Sequence, residues 1–293
     1  MPEENLYRKK TILASSLFGL TAIFTQRQLF LSMAKRDLRA RYRNTSLGWI
    51  WSLIRPLISL FVYMLVVGKI LGASKGTQDF GLFVFSGFLA YTLFVSFSIG
   101  SMKSVIENAD LIKKINFPRI FLPLCAGVVA CADALLNFLV LLVGYSLYGA
   151  WPSLHQLALL PIAFLVVIFL GLAVGMWGAV INVKYRDFGY LFETVINLGI
   201  WLTPMLYGYS FVLNAFKENA LYLWLYLANP MANVVIEFQR ALWPPAADPE
   251  IANQLFPGQL GLRLLVLLFV SAFLFLIASG YFVRKSQKFS ETL

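Results

Sequence analysis

The chain has 293 residues and a formal net charge of +10, and 59% of its residues are apolar while only 13% are charged. Soluble domains carry about 25% charged residues, so this composition excludes an ordinary soluble protein and indicates a membrane-embedded one. The positive charge does not indicate nucleic-acid binding, because membrane proteins concentrate Lys and Arg on their cytoplasmic side. We expect membrane lipids as partners and no nucleic acid.

The first 48 residues form a basic segment that we predict to be cytoplasmic. An apolar run at 13–24 is short and lacks the small-residue cleavage pattern of a signal peptide, so we predict a helix on the membrane surface there. Residues 27–47 follow a helical period, with arginines on one face and with Asp37 and Arg41 spaced as an i,i+4 ion pair. A basic amphipathic helix of this kind lies in the lipid headgroup layer.

Two interpretations of this amphipathic helix stay open. It is either an anchor that only orients the chain, or an interface helix that also contacts a cytoplasmic partner and the charged head of a substrate. On the second interpretation, the head-contacting residues of the helix are Arg36, Arg39 and Arg43.

Six long apolar stretches follow, and each has at least the ~20 residues that a helix needs to cross ~30 Å of hydrocarbon. They cover 49–71, 82–102, 120–148, 157–182, 188–208 and 264–283. Because lipid offers no partner for backbone amides, each stretch is predicted to be a helix. The predicted fold is an all-α polytopic membrane protein, with a six-span domain at 49–284 and a cytoplasmic tail at 285–293.

Charged residues inside and between these stretches are candidates for function. Arg55 lies a few residues inside the first stretch, where it either snorkels to the surface or contacts an anionic substrate head. The loop 107–119 after the second stretch is short and polar, and its Pro118 suits the first turn of the next helix. A short amphipathic helix in this loop would transmit force from a soluble subunit, while composition alone fits an ordinary loop.

Two carboxylates, Asp133 and Glu193, fall within the third and fifth stretches. Intramembrane carboxylates seldom face lipid and are functional candidates. No regular relay of Asp, Glu and His crosses the membrane here, which disfavours a proton-coupled transporter, and we favour an interhelical hydrogen bond for Asp133. The two cysteines, Cys125 and Cys131, are predicted to be small apolar fillers.

The distribution of basic residues predicts the topology. With the first 48 residues in the cytoplasm, three quarters of the 24 Lys and Arg residues fall on that side, which places both termini there in a multi-pass protein of the inner (plasma) membrane. A seventh span at 219–243 would put the basic tail outside, and Asn229-Pro230 interrupts that stretch. We therefore predict an external loop at about 209–260 with short re-entrant helices, which are candidates for an exit gate.

The sequence carries no pattern for chemistry on the chain itself. It lacks the Gly-x-x-x-x-Gly-Lys-Ser/Thr motif that cradles nucleotide phosphates. Its only histidine, His155, has no companions for a zinc or acid–base site. We predict a protein that is not an enzyme and that holds no metal or cofactor.

Four blocks of sequence carry a resemblance. They are RDLRARYRNTSLGWIWSLIRPLISLFVYMLVVGKIL at 36–71, ENADLIKKINFPRIFLPL at 107–124, VKYRDFGYLFETVINLGIWLTPMLY at 183–207 and NPMANVVIEFQRALW at 229–243. In this order they resemble the permeases of type-2 ABC exporters, specifically the polysaccharide branch. That branch exports O-antigens, teichoic acids and related envelope glycans, and so serves lipopolysaccharide biosynthesis among other pathways.

The resemblance implies export of a lipid-linked polysaccharide by a subunit that does not itself hydrolyse ATP. A drug or lipid exporter of the same superfamily is the alternative within transport. A membrane glycosyltransferase or polymerase is disfavoured, because the loop at 209–260 has only scattered carboxylates. A purely structural assembly partner is disfavoured further.

The resemblance also implies an assembly and a set of site residues. It implies a homodimer around a central channel, joined by two copies of an ABC ATPase subunit that would bind ATP and Mg²⁺. It implies an interface helix at 27–47, a coupling helix at 105–117 and gate helices at 211–243. The coupling residues would be Glu107, Asn108, Asp110, Lys113 and Lys114. The channel-lining candidates, whose rings would stack on sugars, are Tyr63, Tyr91, Phe94, Trp177 and Trp201.

Overall fold

The computed structural model describes residues 12–42, 50–70, 72, 78–205 and 207–293, and this part of the chain is helical throughout its regular elements, without a β-strand. Its α-helices are α1 (Ile12–Thr25), α2 (Arg27–Tyr42), α3 (Trp51–Tyr63), α4 (Phe80–Glu107), α5 (Ala109–Lys114), α6 (Phe121–Tyr148), α7 (Leu160–Lys184), α8 (Phe188–Leu198), α9 (Gly208–Ala215), α10 (Ala220–Leu227), α11 (Pro230–Leu242), α12 (Pro249–Leu255), α13 (Leu260–Ser286) and α14 (Phe289–Thr292). The predicted all-α class is confirmed.

Four helices are long and apolar enough to cross a membrane. They are α4, α6 as far as Leu147, α7 together with the 3-10 turn Gln156–Leu159 that precedes it, and α13. These helices correspond to the second, third, fourth and sixth predicted stretches. By helix length within the described residues, the structure therefore supports four of the six predicted spans.

The first and fifth predicted stretches are helical but less regular. Helix α3 continues as a π-helical segment at Met64–Ile70. Helix α8 continues as a 3-10 turn and forms a shorter apolar helix at Phe188–Leu202. It ends there because Thr203 precedes Pro204 and takes an extended backbone, as residues before proline prefer.

Helices α4 and α7 form the centre of the bundle. Helix α4 packs against α6 on one side and α7 on the other, α7 packs against α13, and α13 packs against α1. The amphipathic helix α2 packs on α6. Buried side chains from α2, α4, α6, α7 and α13 form one continuous apolar core, and partly buried side chains of α1 pack against it.

Two glycines set the close crossing of α4 and α7. A Cβ on Gly171 would lie 2.6 Å from the Cβ of Phe97, and a Cβ on Gly175 would lie 2.5 Å from that of Ser101. Small residues four apart let membrane helices approach closely. Any larger side chain at Gly175 would also meet the carbonyl oxygen of Ser98, so the crossing depends on glycine here.

The region between the fifth and sixth predicted stretches is four short helices, α9 to α12, and no single helix covers 219–243. Asn229 ends one helix and begins the next, because its side-chain oxygen accepts the N–H of Met231 at 3.0 Å and Pro230 occupies the first helical position. The predicted break at Asn229-Pro230 is confirmed. Helix α11 enters the bundle and packs against α4, α7 and α13, whereas α10 is largely exposed.

Candidate coupling and gating sites

One end of the bundle, called the α5 end, contains the end of α4, helix α5 and the start of α6. Asn108 is the joint between α4 and α5, because its side-chain N–H₂ donates to the carbonyl of Ser104 at 2.9 Å while its own carbonyl accepts from Leu111 and Ile112. The predicted coupling helix at 105–117 is wrong in its bounds. The chain turns at Asn108, and only Ala109–Lys114 forms a separate helix.

Helix α5 presents charges on its outer side. Ile112 is buried at 4% exposure, and it fixes the helix to the core. The remaining predicted coupling residues are exposed, and they are Glu107, Asp110, Lys113 and Lys114. Within six residues the helix thus has one apolar anchor and a surface of both charge signs, which suits contact with a soluble protein.

The structure joins the predicted interface helix to this joint. A guanidinium nitrogen of Arg36 donates to the side-chain oxygen of Asn108 at 2.6 Å and also to the carboxylate of Asp37 at 2.7 Å. Arg36, predicted to contact a substrate head, therefore bonds to a predicted coupling residue. Arg39 is exposed, Arg43 lies outside the described residues, and so does the side chain of Arg55.

The carboxylate of Asp133 bonds to the interface helix. Arg41 Nη2 lies 2.8 Å from Asp133 Oδ2, with the side chain of Asp133 12% exposed. The interhelical bond expected for Asp133 is present. The predicted i,i+4 pair of Asp37 with Arg41 is wrong, because Asp37 bonds to the neighbouring Arg36 and Arg41 points across to α6.

The second carboxylate within the predicted apolar stretches, Glu193, attaches α8 to α4. Lys103 Nζ lies 2.8 Å from Glu193 Oε1. Further along the same pair of helices, the hydroxyl of Tyr91 donates to the carbonyl oxygen of Ile196 at 2.6 Å. Helix α8 is thus held to the centre of the bundle by one ion pair and one hydrogen bond.

The predicted channel-lining residues separate into two groups. Tyr91 and Phe94 are buried inside the subunit with ring centroids 6.0 Å apart. Trp177 and Trp201 are 53% and 60% exposed, so their rings face away from the subunit. The side chain of Tyr63 lies outside the described residues. A channel-lining role stays a prediction for all five, and the exposed tryptophans are placed best for it.

The other end of the bundle, called the α11 end, is held by neutral hydrogen bonds. The side-chain amide of Gln239 donates to the carbonyls of Pro204 and Met205 at 3.0 and 3.3 Å, which fixes the turn after α8. At the end of α11, Gln156 donates to the carbonyls of Arg240 and Trp243 at 3.2 and 3.1 Å.

Two further neutral bonds complete this attachment. The hydroxyl of Tyr145 donates to the carbonyl of Leu242 at 2.7 Å, and the indole N–H of Trp243 donates to the carbonyl of Gln78 at 2.8 Å. Sequence reasoning missed all of these donors. A polar residue in an apolar stretch, such as Tyr145, was the only available signal.

Helix α11 also carries a buried carboxylate that sequence reasoning counted among scattered acids. The side chain of Glu237 is 1% exposed, and its closest cation is Arg240, whose Nη1 lies 3.7 Å away. Burial raises the pKa of Glu237 to about 7, and the nearby positive charge of Arg240 opposes that rise. Near neutral pH this carboxyl is therefore partly protonated.

Long apolar helices, a short charged helix at one end and a short buried helix at the other are typical of a polytopic membrane protein. Residues 28–242 match the model of the ABC-2 type transporter family, and the chain belongs to that family.

Curated relatives match most of the chain. It is 28% identical over 274 residues to the O-antigen export system permease protein RfbA of Myxococcus xanthus, which covers 92% of this chain and 97% of that protein. It is 24% identical over 270 residues to the protein of the same name from Klebsiella pneumoniae, covering 90% and 95%. It is 23% identical over 217 residues to the polysialic acid transport protein KpsM of Escherichia coli, covering 71% and 79%.

Proposed function

We propose that this chain is the permease subunit of an ATP-driven exporter that moves a lipid-linked polysaccharide across the cytoplasmic membrane. The glycan would be an O-antigen, a teichoic acid or a similar envelope polymer. The observation that carries the proposal is the match over nearly the whole chain to proteins named O-antigen export permeases. The chain itself performs no catalysis, and ATP and Mg²⁺ bind to a separate ABC ATPase subunit.

The proposed assembly is a homodimer with two copies of the ATPase, each docked at an α5 end. Helix α5 supports this role, because Ile112 anchors it while Glu107, Asp110, Lys113 and Lys114 stay exposed to a partner. The proposed channel lies between the two permease subunits. Trp177 and Trp201 expose flat apolar faces that would stack on sugar rings.

The proposed topology has six spans with both termini in the cytoplasm. Helix α3 and its π-helical continuation cover 20 residues, Trp51–Ile70, which at ~1.5 Å per residue is ~30 Å and long enough to cross hydrocarbon. Helix α8 with its 3-10 turn would be the fifth span. On this topology the α5 end is cytoplasmic and the α9–α12 region is the external gate.

Deletion of the gene in its native host tests the proposal. We expect loss of the surface glycan and accumulation of the same glycan, still attached to its lipid carrier, inside the cell, and we expect both changes to be reversed by a plasmid copy. Unchanged surface glycan would refute polysaccharide export. If the deletion strain instead became sensitive to drugs or changed its outer lipids with normal glycan, the drug or lipid exporter alternative would replace the proposal.

A charge reversal on α5 tests the coupling role. Asp110→Lys is expected to reduce glycan export while the protein still accumulates in the membrane, because the residue is exposed and its replacement alters only the docking surface. The matched control is Glu250→Lys, an exposed acid in the first turn of α12 at the opposite end. Equal export by the two variants would show that α5 does not couple the partner to transport.

A further inference from the structure

The segment that contains α5 is fastened to the permease at both of its ends. At the entry, Arg36 of the interface helix bonds to Asn108 at 2.6 Å. At the exit, Arg119 donates from Nη1 to the carbonyl oxygen of Ser286 and from Nη2 to the hydroxyl of Ser290, the latter at 3.2 Å. A guanidinium beside the carbonyls that end a helix is also favoured by the helix dipole, and Ser286 is the last residue of α13.

The chain that Arg119 holds is the C-terminal tail, residues 287–293, which folds back onto the bundle. Phe289 is 4% exposed, and its ring centroid lies 5.7 Å from that of Phe282 in an edge-to-face arrangement. Helix α14 also contacts α5 and α7. An isolated helix of four residues is not stable in water, so the tail owes its fold to this docking.

The docked tail and α5 form one surface with both charge signs. The exposed residues on the tail and at the end of α13 are Arg284, Lys285, Lys288 and Glu291, and those on and beside α5 are Glu107, Asp110, Lys113 and Lys114. Arg119 lies between the two groups and is partly buried. We call this combined surface the coupling platform.

We propose that the C-terminal tail, together with α5, forms the surface on which the ATPase subunit docks. Arg119 is the positioning residue that holds the tail next to α5. The identity of the partner depends on the proposed function. The family match ends at residue 242, so the tail lies outside the part of the chain that defines the family.

Arg119 determines which helices move when the partner displaces α5. With Arg119 in place, displacement of α5 also displaces the end of α13 through Ser286, and therefore moves two long helices together. Without Arg119, the end of α13 and the tail each lose a guanidinium bond, and α5 moves relative to α13. ATP hydrolysis would continue, but it would move the long helices less, and less glycan would be exported per ATP hydrolysed.

The experiment uses the complete transporter, with its ATPase subunits, in lipid vesicles. It compares wild type with Arg119→Leu, Arg119→Lys and a chain that stops after Gln287. The readouts are ATP hydrolysis, export of lipid-linked glycan per ATP hydrolysed, and the amount of ATPase that co-purifies. For Arg119→Leu and the truncated chain we expect export per ATP to fall at least about tenfold, with hydrolysis retained. Arg119→Lys keeps the positive charge and one donor nitrogen, and it should therefore retain part of the wild-type coupling.

Control variants separate positioning from folding. Arg186→Leu removes an exposed charge outside the coupling platform, in the turn between α7 and α8, and should leave export per ATP unchanged. If Arg119→Leu lowers hydrolysis and export in parallel, or if wild-type coupling survives in the truncated chain, the tail is only structural and the proposal is overturned. If wild type itself exports no glycan, the proposed function fails instead, and that result is distinct from either.

Discussion

The two ends of this bundle are fastened by different chemistry. In the half of the bundle nearer the α5 end, two contacts between helices are charged, and Arg41–Asp133 and Lys103–Glu193 are both 2.8 Å pairs with one exposed partner. At the α11 end they are neutral, with buried amide and hydroxyl donors such as Gln156 and Tyr145 bonded to backbone carbonyls. The first kind of contact can exchange partners with water, whereas the second leaves an unpaired buried group when it breaks.

The difference indicates which elements are fixed and which can move. Exposed ion pairs such as Lys103–Glu193 contribute only ~0–1 kcal/mol each, so helices joined by them can shift at small free-energy cost. Breaking a buried hydrogen bond exposes the full desolvation cost of the group left behind, about 1–3 kcal/mol. We infer that α11 stays fixed in the bundle, whereas α2, α5 and α8 can move in response to a partner.

The largest expected effect comes from removing a neutral bond at the α11 end. Gln156→Leu leaves the carbonyls of Arg240 and Trp243 without their side-chain donor in a buried place, and we expect it to lower the free energy of unfolding by about 2–4 kcal/mol. Thermal unfolding of the detergent-solubilised protein measures this. Gln254→Leu, at an exposed position of α12, is the matched control and should change little. Equal melting temperatures for the two variants would contradict the inference that buried hydrogen bonds fix α11.

The next effect depends on pH and on Glu237. Because its folded-state pKa is raised from 4.5 to about 7, its contribution to stability is fully present below about pH 4.5 and is lost as the pH rises through about 7. Glu237→Gln, which stays neutral, should therefore be more stable than wild type at pH 8 by about 2–3 kcal/mol and nearly equal to it at pH 4.5. Glu250→Gln, at an exposed position of α12, is the matched control variant. A constant difference between Glu237→Gln and wild type at both pH values would refute the assignment.

A smaller effect is expected for the pair that joins the interface helix to α6. Arg41→Asp and Asp133→Arg should each destabilise the protein, because each places like charges where a 2.8 Å ion pair stood. The double reversal should recover part of the loss, with a coupling free energy of about 1–2 kcal/mol. If the double variant loses as much stability as the two single variants together, the ion pair does not contribute to stability in solution.

The smallest effect on stability is expected for Lys103→Gln at the α4–α8 contact. Its partner Glu193 is 31% exposed and can be solvated once the pair is lost, so we expect a change below about 1 kcal/mol. High salt should remove even this difference between variant and wild type, because salt screens exposed charges. If Lys103→Gln lost as much stability as Gln156→Leu, the ion pair would not be weaker than the buried hydrogen bonds, and the two ends would not differ in this way.

The sequence predicted the parts of the fold that depend on composition along one helix. Hydrophobic length located α4, α6, α7 and α13, and proline chemistry located the break at Asn229-Pro230. It failed where partners are distant in the chain. Asp37 and Arg41 had the spacing of a pair, but the contact of Arg41 with Asp133 spans 92 positions and no local pattern encodes it.

In the candidate site too, features set by the local sequence could be predicted, and contacts between distant parts of the chain could not. The exposed charges of α5 could be predicted from a short polar loop between apolar stretches. The burial of Tyr91 and Phe94, the packing of α11 against α4 and α7, and the bonds of Gln156 could not, because each depends on which helices become neighbours. An aromatic residue in an apolar stretch looks the same in sequence whether it faces a channel or the core.

Hydrogen exchange in the complete transporter, with and without ATP, tests the distinction between the two ends most directly. The account predicts that ATP changes the exchange rates of backbone amides in α2, α5 and α8, while those of α11 stay slow and unchanged. Faster exchange in α11 on addition of ATP, with α2, α5 and α8 unaffected, would contradict it.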